Sequence, residues 1–183
     1  MIIAICLKFK LTIFQDVKRI MKLIPKKVFF TSGVGVHSEH LESFEVALRD
    51  AGIERFNLVT VSSILPPKCE VVSKEEGLKE LSPGEIIFCV MSKISSNKPG
   101  QMLSASVGCA FPGSTNKHGY ISEYYACGET AEEAGKYTEE LARNMYITWA
   151  NEEPGRVFSI PRSSCTKENG NWTTVISVAV FIT

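Results

Sequence analysis

The stretch Val61-Ser62-Ser63-Ile64-Leu65-Pro66-Pro67 decides how this chain folds. The residues that lead into it, Leu58-Val59-Thr60-Val61, are rich in β-branched side chains and predict a β-strand. The two prolines cannot continue that strand, because proline has no backbone N–H to donate. Ser62-Ser63 is therefore predicted at a strand end that leads into a constrained turn, where backbone strain can be stored and used chemically. Taken alone, a serine pair in such a place more often only satisfies local backbone groups.

Composition limits the class of protein and its partners. The chain has 183 residues, enough for one domain with a sizeable core, and 44% of them are hydrophobic. Lys+Arg and Asp+Glu both number 20, so no net charge attracts nucleic acid or an anionic membrane. We therefore expect neither nucleic acid nor a membrane as a partner.

The cysteines and histidines predict neither a metal site nor a disulfide framework. The chain has 6 Cys and 3 His, no two cysteines have the CxxC spacing, and no histidine flanks them at ligand spacing. A chain of this length does not need disulfides for stability, and it shows no export signal. We expect reduced thiols, no bound metal and a cytoplasmic location.

Residues 1–22 differ in pattern from the rest of the chain. Residues 5–13 alternate as a strand would, but Lys8 and Lys10 make the segment too charged for a signal peptide or a spanning helix. Met21 offers an internal start. We expect residues 1–22 to be an extension that arises from an over-extended start site, with an added edge strand as the alternative. Residues 23–183 are expected to form the domain.

The start of that domain is predicted to contain a strand and a helix. Residues 26–32 read as a strand, followed by a Gly33-Val34-Gly35 loop. A helix is expected over residues 39–51, with Ser38 as its N-cap and Gly52 as its C-terminal stop. Its predicted apolar stripe consists of Leu41, Phe44, Ala47, Leu48 and Ala51.

The rest of the domain alternates strands with one more helix. Further strands are predicted over residues 57–61, 85–91, 102–111, 119–126, 157–166 and 172–183. The capping box Thr130-Ala131-Glu132-Glu133 predicts a helix that runs to about Ala150. Its predicted buried face consists of Ala134, Tyr137, Leu141 and Met145. Asn169-Gly170 predicts a hairpin between the last two strands. Many strands with two separated amphipathic helices indicate an α+β sandwich.

Five short motifs, taken together, resemble those of the pyruvoyl-dependent arginine decarboxylases. In chain order they are Phe44-Glu45-Val46-Ala47-Leu48, Ala51-Gly52-Ile53, Asn57-Leu58, Ser62-Ser63-Ile64-Leu65-Pro66-Pro67 and Gly119-Tyr120-Ile121-Ser122-Glu123-Tyr124. The resemblance runs from about Ile24 to the C-terminus. It implies a single-domain, four-layer αββα sandwich that is cleaved into two chains. It also implies a homotrimer of αβ protomers with active sites between neighbours.

The chemistry of that family requires a carbonyl made from the chain itself. Decarboxylation of an amino acid needs an electron sink, which a carbonyl that forms a Schiff base can supply. The Ser63 hydroxyl can attack the Ser62 carbonyl carbon, the amide becomes an ester, and β-elimination frees the Ser62 carboxylate. The dehydroalanine left at position 63 hydrolyses to a pyruvoyl group and ammonia. The resemblance implies this route, with a β chain that ends at Ser62, an α chain that begins at residue 63, and no PLP or metal.

The resemblance gives roles to three more residues. Glu123 is implied as the proton donor to the substrate Cα, and strand alternation predicts apolar and aromatic neighbours that favour its neutral form. Asn57 is implied to support processing; the alternative is an amide that pairs with the backbone at a strand start. Glu45 stands where the family often has Asp and is implied to bind the substrate guanidinium. Periodicity alone favours a solvated Glu45 beside the core.

The sequence therefore predicts a self-processing decarboxylase that converts L-arginine to agmatine and CO2. Because Glu45 is one methylene longer than Asp, the same chemistry on another amino acid remains an alternative. A third possibility is a non-catalytic, uncleaved homologue that acts as a binding or assembly module.

Overall fold

Residues 23–183 are described by a computed structural model of the chain, and this part contains nine strands and three helices. The strands are β1 (Lys27–His37), β2 (Asn57–Thr60), β3 (Ile64–Leu65), β4 (Glu70–Val71), β5 (Ile86–Ser96), β6 (Met102–Phe111), β7 (Gly119–Cys127), β8 (Arg156–Cys165) and β9 (Trp172–Ile182). The helices are α1 (His40–Ala51), α2 (Lys74–Lys79) and α3 (Ala131–Ala150). The expected extension over residues 1–22 and the internal start expected at Met21 lie outside the described residues.

The strands form two sheets. Sheet A has five strands in the order β2-β5-β9-β1-β4, and sheet B has four in the order β3-β7-β6-β8. Strand β9 is central to sheet A, because it pairs antiparallel with both β1 and β5. The prediction of a single α+β domain is confirmed.

The buried apolar residues lie in clusters that join these elements. Helix α1 packs against sheet A, where Ala47 belongs to the same cluster as Phe29. The opposite face of sheet A meets sheet B in a second cluster, which includes Phe181 of β9 and Ile121 of β7. Helix α3 packs against sheet B through Tyr146 and its neighbours. The apolar side chains buried between the two sheets form the interior of the domain, and the edge strands lie at its margin.

The predicted loop at Gly33-Val34-Gly35 is wrong, because these residues lie inside β1. A Cβ on Gly33 would overlap the Ala47 carbonyl oxygen, and a Cβ on Gly35 would overlap the Ser43 carbonyl oxygen. The glycines therefore let the backbone of α1 lie directly on the strand. Sequence alone predicts a loop from these glycines, whereas the structure shows that close packing of α1 on β1 requires them.

Helix α1 begins one residue later than predicted. Glu39 is its N-cap rather than Ser38, and no side chain caps the helix. Gly52 ends it as predicted, with φ of 76° in the left-handed region that glycine tolerates. Leu41 does not belong to the buried face, since it is 77% exposed, whereas Ser43 is fully buried.

Helix α3 begins at the predicted capping box but buries a different face. The Thr130 hydroxyl accepts the Glu133 N–H at 3.3 Å, and the Glu133 carboxylate accepts the Thr130 N–H at 2.8 Å. The buried residues are Ala134, Gly135, Thr138, Ala142 and Tyr146. The predicted Tyr137 is 45% exposed. A Cβ on Gly108 would overlap the Thr138 carbonyl, so α3 lies so close to sheet B at this point that only small side chains fit between them.

The predicted hairpin at Asn169-Gly170 does not form. Strand β8 pairs with β6 in sheet B, whereas β9 pairs with β1 and β5 in sheet A. The turn itself is present, because Gly170 has φ of 76° and the Asn169 side chain accepts the Asn171 N–H at 3.1 Å. The two strands that it joins therefore belong to different sheets.

Candidate active site

Ser62 and Ser63 lie where the chain passes from sheet A to sheet B. Strand β2 is an edge strand of sheet A and pairs with β5, and β3 is an edge strand of sheet B and pairs with β7. The Val61 N–H donates to the Cys89 carbonyl at 2.9 Å on one side, and the Ile121 N–H donates to the Ser63 carbonyl at 2.8 Å on the other. The bond between Ser62 and Ser63 is thus held at both ends by different sheets.

The backbone at the serine pair forms a tight turn. The Ile64 N–H donates to the Ser62 carbonyl oxygen at 3.0 Å, a two-residue span that is typical of a γ-turn. The acceptor is the carbonyl that the Ser63 hydroxyl would attack. A hydrogen bond to that oxygen stabilises the negative charge that develops on it during attack.

The structure brings Ser63 and Glu123 together. Ser63 Oγ donates to Glu123 Oε2 at 3.3 Å, although Ser63 lies in the connection between β2 and β3 and Glu123 lies in β7. Glu123 follows the fully buried Ile121 on the same face of β7. The apolar enclosure predicted for Glu123 is absent from the described part of a single chain: Glu123 is exposed, and Tyr125 on the same face is 60% exposed.

Asn57 makes backbone contacts at the start of β2. Its side-chain nitrogen donates to the Gly84 carbonyl at 2.8 Å, and its backbone N–H donates to the Glu85 carbonyl at 2.9 Å. Neither bond reaches Ser62 or Ser63. Within one chain, the contacts of Asn57 are therefore those of the alternative, an amide that pairs with the backbone at a strand start.

Glu45 lies on α1 and is already paired with a guanidinium. Its Oε1 accepts the Arg49 Nε–H at 2.7 Å, and its side chain is 42% exposed. The adjacent Phe44 lines a cavity of about 390 Å³ at the β2 edge of sheet A, together with Asn57 and Lys93. Glu45 itself does not line that cavity, and its hydrogen bond does not connect it to Ser63 or Glu123.

An apolar groove beside the serine pair was not foreseen from the sequence. It has a volume of about 580 Å³ and is lined by Leu23, Ile24, Pro25, Val61, Ile64, Pro66, Pro67, Phe88, His118 and Phe181. Val61 and Ile64 flank the serine pair on either side. His118 is the one ionisable residue of this lining, and its ring stacks on Trp149 with centroids 3.8 Å apart. Its position directly before the Gly119 motif was the available signal.

The thiols of the described cysteines are free. Burial raises the pKa of Cys69 and of Cys89 to about 11, and it raises the pKa of Cys109 further. Between residues 23 and 183, no group of three or more His, Cys, Asp or Glu side chains could hold a metal ion. None of the helices described here is long and apolar enough to span a membrane.

Comparison with known proteins decides the family. The sequence pattern of the family described as Pyruvoyl-dependent arginine decarboxylase matches residues 27–183. This chain belongs to the pyruvoyl-dependent arginine decarboxylase family. The resemblance of the five motifs is therefore confirmed, and the family name implies a pyruvoyl group.

Curated members of the pyruvoyl-dependent arginine decarboxylase family match nearly the whole chain. Pyruvoyl-dependent arginine decarboxylase 1 of Methanosarcina acetivorans is 71% identical over 163 residues, which are 89% of this chain and 99% of that protein. The Methanosarcina mazei protein of the same name is 69% identical over 163 residues, with the same coverage of 89% and 99%. The pyruvoyl-dependent arginine decarboxylase of Methanocella arvoryzae is 62% identical over 161 residues, or 87% of this chain and 97% of that protein.

Proposed function

We propose that this protein is a self-processing pyruvoyl-dependent arginine decarboxylase that converts L-arginine to agmatine and CO2. Family membership supports the reaction type and the substrate. The observation that carries the proposal is the hydrogen bond of 3.3 Å between Ser63 and Glu123, which joins the two residues implied to carry the chemistry. No other candidate function has a comparable contact in its favour.

The proposed processing step cuts the chain between Ser62 and Ser63. The Ser63 hydroxyl attacks the Ser62 carbonyl carbon, and the Ile64 N–H, 3.0 Å from the carbonyl oxygen, stabilises the developing charge. β-Elimination from the resulting ester frees the Ser62 carboxylate, which ends the β chain, and leaves dehydroalanine at position 63. Water hydrolyses the dehydroalanine to a pyruvoyl group, which begins the α chain, and ammonia is released. Asn57 is proposed to support this step by holding the start of β2. Neither PLP nor a metal takes part.

The residues around position 63 fit the group that this step would leave there. The pyruvoyl carbonyl supplies the electron sink that decarboxylation needs. Glu123 faces position 63 and can deliver a proton to a substrate Cα that is held at that position. The exposure of Glu123 in a single chain leaves open space on its outer side, where a substrate can enter.

Glu45 is proposed to bind the guanidinium of arginine. A carboxylate accepts two parallel N–H donors from a guanidinium, which fixes direction as well as charge. The Arg49 pair at 2.7 Å supports this role, since it places a guanidinium nitrogen on Glu45 Oε1. The Arg49 pair also leaves another amino acid as an alternative substrate, because the guanidinium of substrate arginine must compete with that of Arg49 for the Glu45 carboxylate.

The finer architecture is also part of the proposal. The contacts of α1 with sheet A, of sheet A with sheet B, and of α3 with sheet B support a four-layer αββα sandwich. Exposed apolar side chains on β2, on the adjacent strand β5 and around the serine pair support assembly as a homotrimer of αβ protomers with shared active sites. They are Val59 at 40%, Val61 at 37%, Ile64 at 41% and Ile86 at 65% exposure. The cytoplasm is the proposed location.

The intact mass of the purified protein tests the proposal. We expect two polypeptides separated at Ser62 and Ser63, with the C-terminal one gaining mass after treatment with a hydrazine. The Ser63→Ala variant is the control, and it should give one chain without a reactive carbonyl. A wild-type protein that stays in one piece after prolonged warm incubation contradicts self-processing and favours the non-catalytic homologue.

A further inference from the structure

A row of serines crosses the face of sheet A that meets sheet B. Ser32, Ser177 and Ser92 are register partners on β1, β9 and β5. Ser177 is 0% exposed and Ser92 is 1% exposed. The row separates the two apolar clusters between the sheets, one of which contains Val90 and the other Val175. A buried hydroxyl in such surroundings is unfavourable unless it has a hydrogen-bond partner.

Both buried hydroxyls find their partners on the backbone of sheet B. Ser92 Oγ donates to the Tyr124 carbonyl at 2.5 Å. Ser177 Oγ donates to the Ile160 carbonyl at 2.5 Å and accepts the Val107 N–H at 3.0 Å. The two serines therefore tie sheet A to three strands of sheet B.

The backbone that they hold is the row that carries Glu123. Val107 is the cross-strand partner of both Glu123 and Ile160. Tyr124, the acceptor of the Ser92 hydroxyl, directly follows Glu123 in β7. The Glu123 side chain is exposed, so the position of its carboxylate depends on how well the backbone beneath it is fixed.

Strand β5 connects this row to the serine pair. The Cys89 carbonyl of β5 accepts the Val61 N–H at 2.9 Å, which fixes the approach to Ser62. Three residues further along the same strand, Ser92 fixes the backbone next to Glu123. Strand β5 thus contacts Val61, two residues before Ser63, and Tyr124, the residue after Glu123.

We propose that Ser92 and Ser177 are positioning residues that set the distance between Glu123 and the reactive group at position 63. The role rests on the proposed function, since it acts through Glu123. Removal of the Ser92 hydroxyl takes a donor from the Tyr124 carbonyl, and removal of the Ser177 hydroxyl takes a partner from the Val107 N–H and the Ile160 carbonyl, so β7 and β6 can shift relative to β5. A misplacement of about 1 Å can lower a rate by about 100-fold.

The test compares Ser92→Ala and Ser177→Ala with a matched control, Ser106→Ala. Ser106 is 0% exposed and lies next to Val107, but its hydroxyl bonds to Thr138 of α3 at 2.7 Å on the other face of β6. We expect kcat for arginine in the processed Ser92 and Ser177 variants to fall about 10-fold or more, with little change in KM. The Ser106 variant should melt earlier while it keeps its kcat.

Two further readouts separate positioning from general destabilisation. The pH dependence of kcat should shift in the Ser92 and Ser177 variants and stay unchanged in the Ser106 variant. In a Glu123→Gln background, Ser92→Ala should cause no additional loss, because residues that act through one group are not additive. Ser92→Cys, which keeps the size but is a weak donor, gives the same comparison where the alanine variant does not fold.

Equal kcat values and pH profiles in the Ser92 and Ser106 variants overturn the positioning role. If the wild type is meanwhile cleaved and decarboxylates arginine, the proposed function stands without it. A wild type that is neither cleaved nor active overturns both.

Discussion

The Ser63 hydroxyl lies 3.3 Å from the Glu123 carboxylate, and each residue reaches that point from a different edge of the fold. Ser63 belongs to the connection between β2 and β3, whereas Glu123 lies within β7. Their proximity depends on the pairing of β3 with β7, where Ile64 is the partner of Tyr120. The short pairing of β3 with β7 therefore places the bond between Ser62 and Ser63 beside Glu123, the proposed proton donor.

Replacement of Glu123 by Gln should separate processing from turnover. The amide keeps an oxygen that can accept the Ser63 hydroxyl, so we expect cleavage to proceed. It cannot deliver a proton to the substrate, so kcat should fall by about 100-fold or more. Single-turnover kinetics on the cleaved variant measures this. Activity within a few-fold of wild type would show that Glu123 is a bystander.

Glu45→Gln should change substrate affinity without changing cleavage. A guanidinium gains charge-assisted hydrogen bonds from the carboxylate and loses them with the amide, so the KM for arginine should rise about 10-fold or more. Arg49→Gln is the matched control, since it frees Glu45 from its pair at 2.7 Å and should lower the KM or leave it unchanged.

Lysine should be a poor substrate of the wild type, because an ammonium cannot reproduce the planar fork of a guanidinium. Competition assays with arginine, lysine and a neutral amino acid measure this preference. Equal turnover of all three would refute the role of Glu45 while the pyruvoyl chemistry stands.

Gly35→Ala should destabilise the fold through its contact with α1. The added Cβ would overlap the Ser43 carbonyl oxygen, which belongs to a helix backbone and cannot rotate away. Overpacking of this kind typically lowers the free energy of unfolding by about 1–3 kcal/mol. Gly113→Ala is the control, because nothing lies within 4 Å of its added Cβ. Urea unfolding of both variants should show a lower midpoint for Gly35→Ala alone.

Thiol reactivity should divide the cysteines by burial. Cys127 and Cys165 are exposed, whereas burial raises the pKa of Cys69 to about 11. A raised thiol pKa leaves less thiolate, about one part in a thousand at pH 8, so alkylation of Cys69 should be slow there and accelerate as the pH approaches 11. Peptide mapping after brief iodoacetamide treatment checks this. Modification of Cys69 as fast as Cys127 would contradict the partly buried placement of Cys69.

Local signals predicted the parts of the fold that local chemistry determines. The capping box at Thr130 gave the start of α3, and Gly52 gave the end of α1, because a cap is defined by residues adjacent in sequence. The hairpin at Asn169-Gly170 failed, since strand pairing depends on distant residues that a turn signal does not identify. The loop predicted at Gly33 is absent because glycine is required there by the close packing of α1, which lies outside the strand.

The candidate site shows the same division. Ser62-Ser63 at a strand end could be read from β-branched residues followed by prolines, but the change of sheet between them could not. The partnership of Ser63 with Glu123 came from the resemblance, since no spacing rule connects positions in separate strands. Ser92 and Ser177 gave no signal at all, because serines that alternate within an apolar strand resemble ordinary variation until their partners in the other sheet are known.

The placement of β1 has a consequence for the life of the molecule after cleavage. The β chain would carry β1, α1 and β2, while β1 lies between β4 and β9 of the α chain. The two polypeptides would be interleaved in one sheet, so the cut must follow folding. Recovery of the protomer from denaturation would then become a second-order reaction between two fragments, slower at low protein concentration, whereas the protomer of the uncut Ser63→Ala chain would refold at a rate independent of dilution. The uncut chain would therefore refold readily after denaturation, whereas the processed protein would depend on the structure formed before cleavage.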